Sequence, residues 1–207
     1  MSVPTRILLA SRNHDKLAEL RRILIPALPH LDAVGLDDVA PYPELPETGA
    51  TFEDNALLKA REAFARTGLP SVADDSGLTL DALNGMPGVL SARWAGRHGD
   101  DEANLRLVLD QLGDTPSERL GAAFECALAF VAADGETVVH GRMAGRLVRE
   151  PRGHNGFGYD PIFVPDGYEL TSAELDPERK DAISHRGQAL RALVPHLLER
   201  CRSEGEP

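Results

Sequence analysis

Residues 70–96 read PSVADDSGLTLDALNGMPGVLSARWAG. A short apolar run meets two consecutive carboxylates, Asp74 and Asp75, followed by Ser76-Gly77. The pattern predicts a strand that stops at the acids in a tight turn, because a strand end aims polar side chains out of the core and Ser-Gly lets the backbone approach a ligand. Adjacent acids repel each other unless a cation meets them. Mg²⁺ suits the place, being a hard ion held by one or two carboxylates plus substrate phosphates. Asp-Asp-Ser-Gly alone is equally compatible with an ordinary polar turn.

Upstream, residues 6–10 form a buried apolar strand pattern, and residues 15–25 carry Leu17, Leu20, Ile23 and Leu24 at helical spacing. Ser11, Arg12, Asn13 and His14 lie between them. A strand, a polar loop and a helix N-terminus make an anion site, since free N–H groups and the helix dipole both point there. Lys16 in the first turn opposes the dipole, so it calls either for a bound anion or for neutralisation by Asp15 and Glu19. Residues 27–46 read as a loop or an edge strand around Val34. Thr51 with Asp54 is a capping-box pattern opening a helix over 52–66, and Glu47 lies just ahead of it.

Downstream, Gly85-Met-Pro-Gly88 marks a sharp turn, with residues 89–94 continuing towards Gly96, and residues 101–112 read as a helix with Leu105, Val108, Leu109 and Leu112 inward. Asp134-Gly135 between 122–133 and 137–148 is a hairpin signal for two long antiparallel strands carrying Cys126 into the core. Gly156-Phe-Gly-Tyr-Asp160 sets aromatic rings between glycines beside a carboxylate. Such a loop either stacks a base and reads its polar edge, or is a turn with one aromatic anchored in the core. Ser184 reads as an N-cap of a helix to about residue 200, kinked near Pro195, with His185 and Arg186 at its positive end.

The chain has 207 residues, 42% of them apolar, which suits one large domain or two lobes sharing a core. A net charge of −11 argues against a grip on a nucleic-acid polymer, so any phosphate must be held locally. Cys126 and Cys201 fit neither a metal-ligand spacing nor a disulfide framework, and reduced thiols in a cytoplasm are expected. Neither a signal peptide nor an apolar run of membrane-spanning length is seen.

Four blocks, SRNHDKLAEL, ETGATFEDNALLKA, ADDSGLTLDAL…PGVLSARWAG and GFGYDPIF…DAISHRGQAL, resemble in order and spacing the Ham1/inosine triphosphatase family, over residues 7–198. The resemblance implies an α/β fold with an elongated, mixed, largely antiparallel central sheet flanked by helices. It implies one domain over 1–207 with two lobes and a nucleotide cleft between them, and a homodimer. The implied activity is hydrolysis of inosine, deoxyinosine and xanthosine triphosphates (ITP, dITP, XTP) to the monophosphate and pyrophosphate with Mg²⁺. Residue by residue it gives the triphosphate loop to Ser11, Arg12, Asn13, His14, Asp15 and Lys16. The metal goes to Glu47 and Asp75, and catalytic base is a further role of Asp75. Ser76 enters the substrate site, Phe157, Gly158, Tyr159 and Asp160 hold the base, and Lys180, His185 and Arg186 complete the pocket. Asp74 stays open between an acid supporting the metal ligands and a ligand acting through water. A phosphatase with an aspartyl nucleophile is disfavoured, because Ser76 and Gly77 stand where its second Asp belongs.

Overall fold

The computed structural model describes residues 6–43 and 45–203, and side chains as far as Arg200. Cys201 therefore lies outside the described side chains, while Cys126 is a buried free thiol whose pKa burial pushes well up. The elements in chain order are β1 (Arg6–Leu9), α1 (His14–Ala27), β2 (Asp32–Val34), α2 (Phe52–Thr67), β3 (Ser71–Leu80), α3 (Asp101–Gln111), β4 (Gly121–Ala132), β5 (Gly135–Leu147), β6 (Phe163–Pro165), α4 (Pro177–Ile183) and α5 (His185–Ser203). Short 3₁₀ turns punctuate them. No helix among the described residues is long and apolar enough to cross a membrane.

The chain divides into two compact units. Unit 1 comprises Met1–Asp75, Cys126–Gly141 and Arg186–Pro207, and unit 2 comprises Ser76–Glu125 and Arg142–His185. The dividing points fall inside β3, β4 and β5 and at the start of α5, between Asp75 and Ser76 and between His185 and Arg186 among others.

In unit 1 the strand order is β2-β1-β3-β4-β5. β1 runs parallel to both β2 and β3, so the sheet is mixed, because the two-residue link between neighbouring β4 and β5 allows only an antiparallel pair. Strand side chains alternate between faces, and the two faces build two different cores. Ile7, Leu9, Val72, Cys126, Leu128 and Phe130 join Leu20 and Leu24 of α1 and Ala189, Leu190, Leu193 and Leu197 of α5. Leu8, Ala10, Ala73, Ala127, Ala129 and Val131 join Ala56, Ala60 and Ala63 of α2. One face is therefore covered by α1 and α5, the other by α2 through a predominantly alanine contact.

Local signals fix the helix ends. Thr51 Oγ1 accepts from Asp54 N at 3.1 Å while Asp54 accepts from Thr51 N at 3.2 Å, closing the expected capping box. Gly68 ends α2 in the left-handed region at φ 69°. Pro195 lies within α5, and Pro26 within the last turn of α1.

Unit 2 holds the remaining parts of β3, β4 and β5 and adds β6 antiparallel to β5. Leu78, Leu80, Phe124, Met143, Leu147, Ile162 and Phe163 pack with Val108 and Leu112 at the inner side of α3. β3 does not stop at the acids; it continues through Asp74, Asp75, Ser76 and Gly77 to Leu80. Gly77 serves close approach rather than a turn, since a methyl group there would overlap Ser91 Oγ and the Gly88 carbonyl. Residues 88–93, following the turn at 85–88, form a 3₁₀ helix. Its Ser91 hydroxyl accepts from Leu78 N at 2.9 Å and donates to Gly88 O at 2.7 Å.

Candidate active site

Two acids in mid-strand need partners, and strand parity decides which helices supply them. Asp74 shares the face of Val72, towards α1 and α5. Lys16 Nζ donates to both Asp74 oxygens at 3.0 and 2.9 Å, and Arg186 Nε donates to Oδ2 at 3.1 Å. Arg186 Nη1 reaches on to Glu19 Oε2 at 2.9 Å. Two cations thus face two carboxylates in the interior of unit 1, with the Asp74 side chain only 1% exposed. Burial alone would push Asp74 up, but Lys16 and Arg186, with Lys59, hold it well below the usual carboxylate range. Burial would likewise lower Arg186, and Asp74 and Glu19 raise it instead.

Asp75 shares the face of Ala73, towards α2. Asn55 Nδ2 donates to Asp75 Oδ2 at 3.0 Å. Lys59, one turn further along the same helix, donates to Asp75 Oδ1 at 3.2 Å and to Glu47 Oε1 at 2.9 Å. The loop carrying Glu47 is tied to the same helix by Gly49 N, which donates to Asn55 Oδ1 at 2.7 Å. Burial raises the Asp75 pKa, and Glu47 and Asp74 add to it, more than Lys59 and Asn55 lower it. Lys59 is raised in turn, because Asp75, Asp74 and Glu47 outweigh its burial.

This geometry tests the Mg²⁺ expectation. Among the described residues no group of three or more His, Cys, Asp or Glu side chains forms a metal cage, but Mg²⁺ takes few protein ligands. Glu47 and Asp75 already converge on one cationic nitrogen, and both offer hard oxygen donors, so the pair fits the ion. Asp74 does not join them: neighbouring strand residues point to opposite faces, and both its oxygens are engaged by Lys16 and Arg186.

The loop before α1 differs from expectation in one respect. Asn13 Oδ1 accepts from Asp15 N at 2.9 Å and Lys16 N at 3.3 Å, so the helix caps itself with two of the N–H groups expected to meet an anion. Ser11 Oγ accepts from Asn13 N at 3.1 Å. Arg12 borders a cavity of about 220 Å³ with Leu36, Asp37 and Tyr42. His14 and Asp15 are exposed, His14 standing 3.7 Å from the Asp37 carboxylate. The anion that Lys16 calls for is Asp74, and Glu19 serves Arg186 instead.

In unit 2 the residues expected to hold a base form their own group. Asp160 is buried, and its Oδ2 accepts from Phe157 N at 2.9 Å and from Lys180 Nζ at 2.5 Å. Lys180 Nζ also stands 5.6 Å from the Phe157 ring centroid. Tyr159 is buried and donates its hydroxyl to Ser91 O at 2.8 Å, while Phe157 is 38% exposed. Tyr159 is thus the aromatic anchored in the core, and Phe157 is the ring presented outside. Gly156, at φ 76°, leaves room where a methyl group would overlap Asp160 Oδ2 and Lys180 Nζ. His185 stacks on Phe124 with centroids 5.0 Å apart and planes at 12°. Ser76 is half-buried on β3.

The model of the Ham1 family matches residues 7–196. The chain belongs to the Ham1 family. It is 63% identical over 201 residues to the dITP/XTP pyrophosphatase of Mycolicibacterium paratuberculosis, covering 96% of this chain and 98% of that relative. It is 64% identical over 194 residues to the dITP/XTP pyrophosphatase of Nocardia farcinica, with 93% and 94% covered. Among solved structures, the HAM1 protein from Coxiella burnetii superposes with a TM-score of 0.84 at 45% identity, covering 94% of this chain and 98% of that one. The nucleoside-triphosphatase / dITP/XTP pyrophosphatase from Mycobacterium abscessus gives 0.74 at 63%, covering 92% and 99%.

Two side chains of this Ham1 protein escaped the sequence reading. Asn55 and Lys59 stand four residues apart on α2, and such a pair lies on one helix face. Their neighbours Ala56, Ala60 and Ala63 mark that side as the buried one. A polar pair flanking an alanine stripe was the available signal.

Proposed function

We propose that this Ham1 protein hydrolyses ITP, dITP and XTP between the α- and β-phosphates, releasing the monophosphate and pyrophosphate and so cleansing the nucleotide pool. The observation that carries the reading is Asp75: a buried carboxylate of raised pKa that shares one cation with Glu47, in a chain about 63% identical to dITP/XTP pyrophosphatases. Asp75 is the base. Its environment makes it more proton-seeking than a surface carboxylate, and Asn55 and Lys59 fix its direction, so it can orient a water and take its proton. Glu47 and Asp75 would hold Mg²⁺, which when bound neutralises phosphate charge and favours attack at phosphorus. Lys16 spends two of its three donors on Asp74, and the third can meet a phosphate oxygen.

The base end of the nucleotide belongs to Phe157 and its loop, with Lys180 and His185. Hypoxanthine and xanthine carry a 6-oxo acceptor where adenine carries a 6-amino donor. A donor at that position, from the Arg186 guanidinium or a backbone N–H, rejects adenine by facing donor with donor. This reading gives one substrate a phosphate end and a base end. Residues 1–207 then act as one catalytic domain, as a homodimer in the cytoplasm.

The test is product analysis with ITP and Mg²⁺. Pyrophosphate in equal amount to inosine monophosphate is expected, and stepwise release of single phosphates overturns the proposal. Phe157→Ala tests the base end. Stacking is worth about 1–3 kcal/mol for any base, so KM should rise on the order of 10-fold for ITP and ATP alike. A changed ratio between the two substrates would give Phe157 a reading role instead.

A further inference from the structure

We propose that Asp101 is a positioning residue for base recognition, setting the direction of the Phe157 ring through the Gly158 peptide. The inference rests on the reading of residues 157–160 as the base loop. That loop is permissive by composition, with Gly153, Gly156 and Gly158 at φ 82°, 76° and 64°. An aromatic ring presented from such a chain is useful only if its own backbone is fixed. The direction of a Cα–Cβ bond follows from the two peptide planes that flank it, and at Phe157 each plane donates to a carboxylate. Phe157 N donates to Asp160 Oδ2 and Gly158 N to Asp101 Oδ2, both at 2.9 Å. Asp160 is buried and held by Lys180; Asp101 comes from the first turn of α3.

Asp101 is not needed to cap that helix. Asp100 is the N-cap, its Oδ1 accepting from Ala103 N at 3.2 Å. The helix itself is a firm support for a positioning group. Buried Asn104 accepts from Ala95 N at 2.7 Å and donates to Ala92 O at 3.2 Å. At the other end Arg149 donates to Leu112 O and Gly113 O at 3.1 Å and to Thr115 O at 2.5 Å. Between α3 and residues 151–161 lies a groove of about 580 Å³ bordered by Asp101, Leu105, Pro161 and Phe157. Asp101 spans its edge and ties its two walls together.

The experiment compares D101A, D101N, D100A and F157A by kcat and KM for ITP, and by Kd for inosine monophosphate without metal. Loss of one carboxylate–amide bond should raise KM and Kd roughly 3–10-fold in D101A, with kcat within about twofold of native. D101N keeps an acceptor oxygen and should return to within about twofold. D100A weakens the same helix end without touching Gly158, so its KM should stay native even where its Tm falls. Native KM and Kd in D101A overturn the proposal. An equal rise in D100A also overturns it, as a helix-end effect, and a D101N enzyme as weak as D101A does so by making charge the agent. F157A separates the two levels: a silent D101A beside an impaired F157A sinks only the Asp101 role, whereas silence in both sinks the base-loop reading too.

Discussion

Asp75→Asn should lower kcat for ITP by about 10²–10⁴-fold, the range expected when a general base is removed, while nucleotide affinity changes far less. The substitution keeps the shape of the side chain but leaves one acceptor oxygen where Asn55 Nδ2 and Lys59 Nζ each donate to one, and it removes the carboxylate proposed to take the proton. A second readout separates catalysis from folding. The folded-state pKa of Asp75 lies above its ordinary value of 3.8 because of burial, Glu47 and Asp74. Between those two values the folded chain binds more protons than the unfolded one, so this group costs stability as pH rises through the window and the cost persists at neutral pH. Asn cannot ionise. In chelator the loss of stability with rising pH across the window should therefore be shallower for the Asp75→Asn enzyme than for native. Near-native kcat would remove Asp75 from the base role; an inactive variant with a collapsed Tm would make its role structural.

Arg186→Ala carries the largest expected effect on the fold. The guanidinium is the common partner of Asp74 and Glu19 in the interior of unit 1. Its loss leaves buried carboxylates undercompensated, a change that costs about 3–5 kcal/mol. For a chain of this length that corresponds to a fall in Tm on the order of 10 °C. Adding Asp74→Asn removes one of the stranded charges, so the double variant should lose less than the sum of the two single ones. A Tm within about 2 °C of native in Arg186→Ala would show that the network is not held by this residue. Selectivity between ITP and ATP in the same variant is informative only at temperatures where it remains folded.

What could be read from the sequence follows how local the cause is. The capping box of Thr51 and Asp54, the helix stop at Gly68 and the Asp134-Gly135 hairpin involve residues within a few positions of each other, and all three formed. The course of β3 through Asp74 and Asp75 could not be read that way. A strand tolerates charges in its middle only where partners arrive, and these come from 58 residues upstream at Lys16, 16 upstream at Lys59 and 112 downstream at Arg186. Ser76-Gly77 looked like a turn because the atoms that need the missing side chain, Ser91 Oγ and Gly88 O, are likewise distant in sequence. The site residues were named from block resemblance, and what the blocks withheld was the division of labour: Asp74 with Lys16 and Arg186 on one face, Asp75 with Lys59 and Glu47 on the other.

The two faces of the unit 1 sheet carry opposite mutational liabilities. On the side of α1 and α5 the filling is Leu, Ile, Val and Phe, so harm comes from shrinkage, which leaves cavities. On the side of α2 the contact is made by Ala56, Ala60 and Ala63 against Ala73, Ala127 and Ala129, with the three helical alanines wholly buried. There harm comes from growth: an added methyl group costs about 1–3 kcal/mol if it must force the elements apart. It also lifts the helix that carries Asn55 and Lys59 away from Asp75, so growth at these positions strikes turnover and packing together. Efforts to stabilise the enzyme by enlarging core side chains should therefore avoid the α2 side, and sequence drift there should be confined to residues no larger than alanine.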